Sequence, residues 1–179
     1  MNIGFDLDKV LIGYPPFVPS KLINRLYKSR DDKTLEYRIP SYPEQLFRKA
    51  THLPFLRQPI NENLELLHRI PKGGHKFYLI SSRYKFLEPE TNRIIKQYGL
   101  KNIFNGFYFN FENKQPHVFK NEVIKELKLD RYVDDDLSLL TFVAKHNGKT
   151  KFFWLNEENK YGALEKNIFA IPKLVDVFQ

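Results

Sequence analysis

Acidic side chains follow two apolar segments of this chain, at the points where each segment ends. Asp6 and Asp8 close the first apolar segment, and an acidic run at 134–136 closes a later one. Residues two apart on a strand share a face and lie about 6.6 Å apart, so Asp6 and Asp8 can contact the same ligand. Carboxylates held this close repel each other, which raises a proton affinity or calls for a cation. Together with Asp134 and Asp135, they predict an all-oxygen magnesium site.

Hydroxyl and cationic side chains are predicted to lie near these acids. Ser81 and Ser82 follow the apolar segment at 76–81, and ligands of open parallel sheets bind outside the carboxyl ends of the strands. Lys120 is the preferred cationic complement, because it opens the predicted helix before the acidic run. Arg83 is predicted to form a surface salt bridge, with a contact to substrate as the alternative. The other lysines that could take this place are Lys114, Lys125 and Lys128.

Apolar segments of strand length alternate with helical patterns over most of the chain. This alternation predicts an α/β fold with a central parallel sheet that helices cover on both faces. The predicted strands are 2–8, 76–81, 106–111, 131–133 and 151–155. The predicted helices are 20–30, 43–51, one from 61, 89–98, 117–128, 137–146 and a closing helix from 172.

The stretch 14–70 breaks this alternation, because it is charged, aromatic and interrupted by prolines. It is predicted to be a small, mainly helical cap inserted after the first strand, with 1–13 and 71–179 forming the core. Its basic and aromatic residues suit an anionic ligand. They include Lys21, Arg25, Tyr27, Lys28, Arg30, Tyr37, Arg38, Arg48 and Lys49.

Composition excludes some kinds of site and favours an anionic partner. The 179 residues contain no cysteine, which rules out disulfides and thiolate sites, and the five histidines show no metal-ligand spacing. Lys and Arg number 29 against 21 Asp and Glu, for a net charge of +8. This charge suits nucleic acid, an acidic membrane surface or a phosphorylated metabolite alike. No apolar run approaches the length of a membrane span, so we expect a cytoplasmic protein without a membrane partner.

Four short motifs occur in a particular order. They are FDLDKV at 5–10, YLISSR at 78–83, Lys120 within FKNEVIKEL, and YVDDD at 132–136. Each motif alone is common, whereas four in order, each at the end of the appropriate element, are much more specific. In this respect the chain resembles the haloacid dehalogenase (HAD) superfamily, whose members are mostly phosphatases. The resemblance implies a HAD-like Rossmannoid core.

The resemblance also implies catalytic roles for named residues. Asp6 would be the nucleophile that forms an aspartyl-phosphate, and Asp8 would be the general acid that protonates the leaving oxygen and later activates water. Ser81, Ser82 and Lys120 would bind the phosphoryl oxygens. A dehalogenase activity is disfavoured, because dehalogenases of the superfamily usually lack the second acid.

Magnesium is the cofactor that the resemblance implies. Asp6, the backbone carbonyl of Asp8 and Asp134 would hold the ion, and Asp135 would act directly or through water. The run 134–136 allows two registers for this motif. The apolar residue before Asp134 favours Asp134 and Asp135.

These observations predict a magnesium-dependent phosphatase that acts on a small phosphorylated metabolite, such as a nucleotide or a sugar phosphate. The net charge keeps open a nucleic-acid-binding protein or a polynucleotide-end phosphatase. A third alternative is a non-catalytic regulatory module on the same fold. It draws on Lys9, which stands where the superfamily usually has a small residue, often glycine.

Overall fold

One six-stranded parallel sheet organises the chain. The computed structural model describes residues 1–15, 35–156 and 163–179, and its strands lie in the order β3-β2-β1-β4-β5-β6. The strands are β1 (Asn2–Phe5), β2 (Lys76–Ser81), β3 (Gly106–Phe109), β4 (Arg131–Asp134), β5 (Lys151–Leu155) and β6 (Ile168–Ile171). The helices are α1 (Tyr42–Thr51), α2 (Asn61–Arg69), α3 (Glu88–Gln97), α4 (Pro116–Glu126) and α5 (Leu137–His146). Short 3-10 helices occupy Lys72–Gly74, Lys85–Leu87, Leu100–Asn102 and Leu174–Phe178.

The strand order brings the acidic strand ends together. From β1 the chain moves outward to β2 and β3, then returns to place β4 on the other side of β1. In the resulting register Phe5 lies beside Val133, so Asp6 and Asp134 follow side by side. Ligands of open α/β sheets bind at such a reversal of strand order, outside the carboxyl ends of the strands.

Both faces of the sheet are buried, which explains the nearly continuous apolar strands. Neighbouring residues on a strand point to opposite faces. Leu79 accordingly packs with α2 and α3 on one face, while Ile80 packs with α4 and α5 on the other. On the first face, Leu64 and Leu67 of α2 belong to the same apolar cluster as β1. The predicted boundary between cap and core at residue 70 stays a prediction.

The predicted parallel α/β sheet is confirmed, with differences near the carboxyl terminus. Residues 151–155 are not the last strand, because β6 follows at the sheet edge and pairs with β5. The closing helix predicted from residue 172 is the short 3-10 helix Leu174–Phe178. Strand β3 ends at Phe109, two residues earlier than predicted. The predicted helix 20–30 lies outside the described residues.

None of the helices in the part of the chain that the structure describes has both the length and the apolar character needed to cross a membrane. The cytoplasmic location stays a prediction.

Gly4 provides a test of the sheet packing. A β-carbon at Gly4 would lie 2.6 Å from Leu129 Cδ1, 2.8 Å from Tyr132 Cδ2 and 2.9 Å from Ile80 Cδ1. All three side chains are buried in the core, so we expect Gly4→Ala to lower the free energy of unfolding by about 1–3 kcal/mol. Gly148→Ala is the control, because nothing lies within 4 Å of its added carbon. Equal urea midpoints for the two variants would contradict the described packing.

Candidate active site

A cavity of about 150 Å³ opens at the carboxyl edge of the sheet, where β1 and β4 end. Its wall combines core strand ends with side chains from residues 14–70. Every site residue that the sequence predicts lines this one cavity: Asp6, Asp8, Ser81, Ser82, Lys120, Asp134 and Asp135.

The Lys120 ammonium lies between the two central carboxylates. Its Nζ is 2.7 Å from Asp6 Oδ1 and 2.6 Å from Asp134 Oδ2, and all three side chains are buried. The Tyr132 hydroxyl also donates to Asp134 Oδ2, at 2.9 Å. Burial alone would lower the pKa of Lys120, but Asp134 and Asp6 together raise it well above its usual range. Helix α4 thus carries a permanently charged cation to the strand ends.

Backbone amides fix the other oxygens of the same two carboxylates. The Asp8 amide donates to Asp6 Oδ2 at 3.1 Å, and the Asp136 amide donates to Asp134 Oδ1 at 3.0 Å. Burial nevertheless raises the pKa of Asp6 well above its usual value, against the opposing effect of Lys120. The Asp6 carboxylate is therefore oriented by Lys120 and the Asp8 amide, but it is poorly solvated.

Asp8 has a different environment, because two arginines bind its carboxylate. Arg83 donates to it twice, from Nε to Oδ2 at 2.8 Å and from Nη2 to Oδ1 at 2.7 Å. Arg57 adds a bond from Nη1 to Oδ1 at 3.1 Å. Although burial would raise the pKa of Asp8, Arg83 and then Arg57 hold it well below its usual range. Arg83 thus forms a salt bridge as expected, but the expectation that it lies at the surface was wrong, since Arg83 is buried.

A buried histidine orients Arg57. His52 Nδ1 lies 2.7 Å from the Arg48 carbonyl oxygen, and its Nε2 lies 3.0 Å from Arg57 Nη2. A carbonyl can only accept and a guanidinium can only donate, so the ring is neutral with its proton on Nδ1. Burial, followed by the charge of Arg57, lowers the pKa of His52 well below its usual value. Sequence reasoning missed this contribution to the site.

Asp135 and Lys9 form an ion pair on the more exposed side of the cavity. Lys9 Nζ lies 2.8 Å from Asp135 Oδ2 and 4.7 Å from the centre of the Tyr14 ring. Burial, and then repulsion from Asp134, raise the pKa of Asp135 to about 6 even with Lys9 beside it.

The carboxylates of three predicted metal ligands converge, while the role of the Asp8 backbone carbonyl stays a prediction. One oxygen each from Asp6, Asp134 and Asp135 lies within 4.8 Å of the others, and no second group of this kind occurs among residues 1–15, 35–156 and 163–179. The carboxylate of Asp8 points to its arginines instead. Asp136 caps α5 by accepting from the Ser138 and Leu139 amides. This donor set of hard carboxylate oxygens fits magnesium.

The remaining wall of the cavity carries hydroxyl, aromatic and cationic groups. Ser82 Oγ is buried without a hydrogen-bond partner among the described residues, a donor available to a bound oxyanion. Tyr37 is held in place by its hydroxyl, which donates to Asp136 Oδ2 at 3.0 Å, and by a reciprocal pair of bonds with Gln115. The other lining residues outside the motifs include Tyr14, Arg48 and Tyr84.

Comparison with known sequences finds a relative that matches part of the chain. No protein-family model matches the chain. A protein of Oceanobacillus iheyensis with the name "Putative nucleotidase OB0422" is 29% identical over 116 residues, which are 65% of this chain. The match spans only 57% of the length of that relative.

Comparison with solved structures identifies the fold. A haloacid dehalogenase-like hydrolase from Xanthomonas campestris superposes with a TM-score of 0.61 at 16% identity, over 96% of this chain and 90% of that one. A HAD family enzyme from Bacteroides thetaiotaomicron, in complex with magnesium and inorganic phosphate, has a TM-score of 0.57 at 12% identity, over 90% and 96% of the two chains. The chain therefore has the HAD-like fold, and the resemblance is confirmed at that level.

The neutral state of His52 predicts a pH dependence of stability. Because its pKa is lowered in the folded state, the unfolded chain binds the extra proton first, and stability falls as the pH drops below about 6.5. Between pH 7.5 and 5.5 we expect the native protein to lose about 1 kcal/mol more of its unfolding free energy than His52→Gln loses. Urea unfolding at both pH values measures this difference. His68→Gln, at an exposed position, is the control, and parallel losses in all three proteins would contradict a buried neutral His52.

Proposed function

We propose that the protein is a magnesium-dependent phosphomonoesterase that acts through an aspartyl-phosphate on Asp6. The observation that carries this proposal is the convergence of Asp6, Lys120 and the carboxylates of Asp134 and Asp135 in one cavity. The name of the Oceanobacillus relative and the ligands of the Bacteroides enzyme support the same chemistry. We further propose that the substrate is a small phosphorylated metabolite.

In this proposal Asp6 is the catalytic nucleophile. One of its carboxylate oxygens forms a bond to phosphorus, and the bond from phosphorus to the leaving oxygen breaks. Attack of a carboxylate on a phosphate dianion brings like charges together, so the reaction needs positive charge nearby. Lys120, 2.7 Å from Asp6, supplies one such charge and keeps the carboxylate in a fixed orientation.

Asp6, Asp134 and Asp135 are the side chains that would hold magnesium, together with the backbone carbonyl of Asp8. When bound, the ion supplies the Lewis-acid charge that offsets repulsion between nucleophile and substrate. Ser81 and Ser82 border the same cavity. Their hydroxyls and the Lys120 ammonium are the donors proposed for the phosphoryl oxygens.

Asp8 is the residue proposed to move protons. Held by Arg83 and Arg57, it is ionised, which is the form that accepts a proton from water during hydrolysis of the aspartyl-phosphate. Protonation of the leaving oxygen requires the other form. A guanidinium binds phosphate in the same bidentate way as carboxylate, so an incoming phosphoryl group can draw Arg83 away from Asp8 and allow Asp8 to carry a proton.

A nucleoside monophosphate is the substrate we propose within the wider class of phosphorylated metabolites. Tyr14, the most exposed of the three tyrosines that line the cavity beside the acids, has an aromatic ring of the kind that stacks on nucleobases. Arg48 of α1 is buried and lines the same cavity, where a cation suits the acceptor atoms of a base or sugar.

The mechanism predicts that Asp6→Asn loses at least about a thousandfold in kcat with p-nitrophenyl phosphate, because the amide is not a nucleophile. Initial rates with and without magnesium measure the loss of activity. Mass spectrometry of acid-quenched protein tests for a phosphorylated Asp6 peptide. Asp176→Asn changes the same side chain in the 3-10 helix Leu174–Phe178 and should keep full activity. An Asp6→Asn protein as active as the native one would exclude the mechanism.

The substrate proposal predicts that nucleoside monophosphates give the highest kcat/KM in a panel with sugar phosphates and a 5′-phosphorylated oligonucleotide. Loss of the Arg48 contact in Arg48→Met should raise the KM for a nucleoside monophosphate about tenfold. The KM for p-nitrophenyl phosphate should change less. Arg69→Met, which removes an exposed pair with Glu65, is the matched control. Equal increases in KM for every phosphate substrate would argue against recognition by Arg48. A preference for the oligonucleotide would favour a polynucleotide-end phosphatase.

A further inference from the structure

Lys9 occupies a backbone position that favours glycine. Its φ is +59°, in the left-handed region, where a residue with a β-carbon costs about 1–2 kcal/mol. Its amide donates to the Ile12 carbonyl oxygen at 2.7 Å, which closes the turn after β1 around this conformation. Glycine would adopt this conformation without strain, so the Lys9 side chain is a candidate for a functional role.

The Lys9 ammonium sits at the edge of the predicted magnesium site. It contacts Asp135 Oδ2 at 2.8 Å, and Asp135 shares the carboxylate group with Asp6 and Asp134. Lys120 contacts the other two carboxylates. Lysine side chains therefore contact all three acids.

These two lysines differ in their freedom to move. The Lys120 side chain is 4% exposed, and its departure would leave two buried carboxylates unpaired. The Lys9 side chain is 36% exposed, and a flexible four-carbon stem carries its ammonium. The Lys9 ammonium also lies 4.7 Å from the centre of the Tyr14 ring, a cation–π contact that it makes at the same time as the ion pair with Asp135.

We propose that Lys9 is the resident counter-ion of the metal site: it holds the Asp135 carboxylate until a divalent cation displaces it, and so sets the magnesium concentration at which the site fills. This inference rests on the proposed function. Its physical basis is that an ammonium bound to Asp135 competes with the metal for the same oxygen and repels its double charge. Lys9 is thus a positioning residue.

Isothermal titration of magnesium chloride into the metal-free protein tests this directly, without any substrate. We expect Lys9→Met and Lys9→Gly to bind magnesium at least about tenfold more tightly than the native protein, because the ammonium that competes for Asp135 and repels the divalent ion is gone. Lys9→Arg keeps the charge and should bind with nearly native affinity. Lys145→Met is the matched control, because Lys145 pairs with Glu165 at the far end of α5.

The set of variants separates charge from backbone effects. Met keeps the left-handed strain and the apolar stem, whereas Gly relieves the strain, so the two share only the loss of the ammonium. Native affinity in both would overturn the role of Lys9, as would tighter binding in Lys9→Gly together with native affinity in a folded Lys9→Met. Lys9→Gly also keeps the test valid if Lys9→Met folds poorly.

The outcome distinguishes this inference from the proposed function. Unchanged magnesium binding in the folded Lys9 variants, together with loss of binding in Asp134→Asn, would overturn only the proposed role of Lys9. The phosphatase proposal would stand. Absence of binding in the native protein and in both neutral variants would overturn the metal site and the inference together. Magnesium binding only in the neutral variants would support the inference, because the Lys9 ammonium would then exclude the metal at the concentrations tested.

Discussion

The buried ion pairs of Lys120 with Asp6 and Asp134 are the interaction on which the site depends. Two carboxylates at the ends of adjacent strands are buried, and each would destabilise the fold by several kcal/mol if left unpaired. The ammonium offsets both at once, and the Tyr132 hydroxyl adds a bond to Asp134. The register of β1 against β4 and the position of α4 must therefore agree closely, because a shift of either would separate the charges.

The parallel sheet was predictable because its inner strands are buried on both faces and therefore read as continuous apolar runs. The edge of the sheet was less predictable for the same reason. In β6, Ile168 and Ile171 are buried while Phe169 is largely exposed, so only four residues with a mixed pattern mark the strand. Pro172 follows at once and resembles the start of a helix, which explains the closing helix predicted there.

The site shows a similar division between local and distant signals. Asp6, Ser81 and Asp134 follow directly from the strands that carry them, so an ordered set of motifs was enough to place them at one edge. Arg57 lies 49 residues from Asp8 along the chain, in a stretch with many other basic residues. No local pattern distinguishes it, because its selection depends on how that stretch packs, and on the neutral His52 that orients its guanidinium.

The resulting charge arrangement divides the acidic residues into two groups with different uses. Arginines hold Asp8 ionised and turn its carboxylate away from the other three acids, which leaves Asp6, Asp134 and Asp135 to form the cation site. One of these arginines, Arg57, belongs to the segment predicted as the cap, whereas Arg83 follows β2 in the core. Any movement of Arg57 relative to Arg83 changes the number of cations beside Asp8. It thereby changes the pKa of Asp8, the group proposed to transfer protons. The position of the segment that carries Arg57 and the proton affinity of Asp8 are thus physically linked.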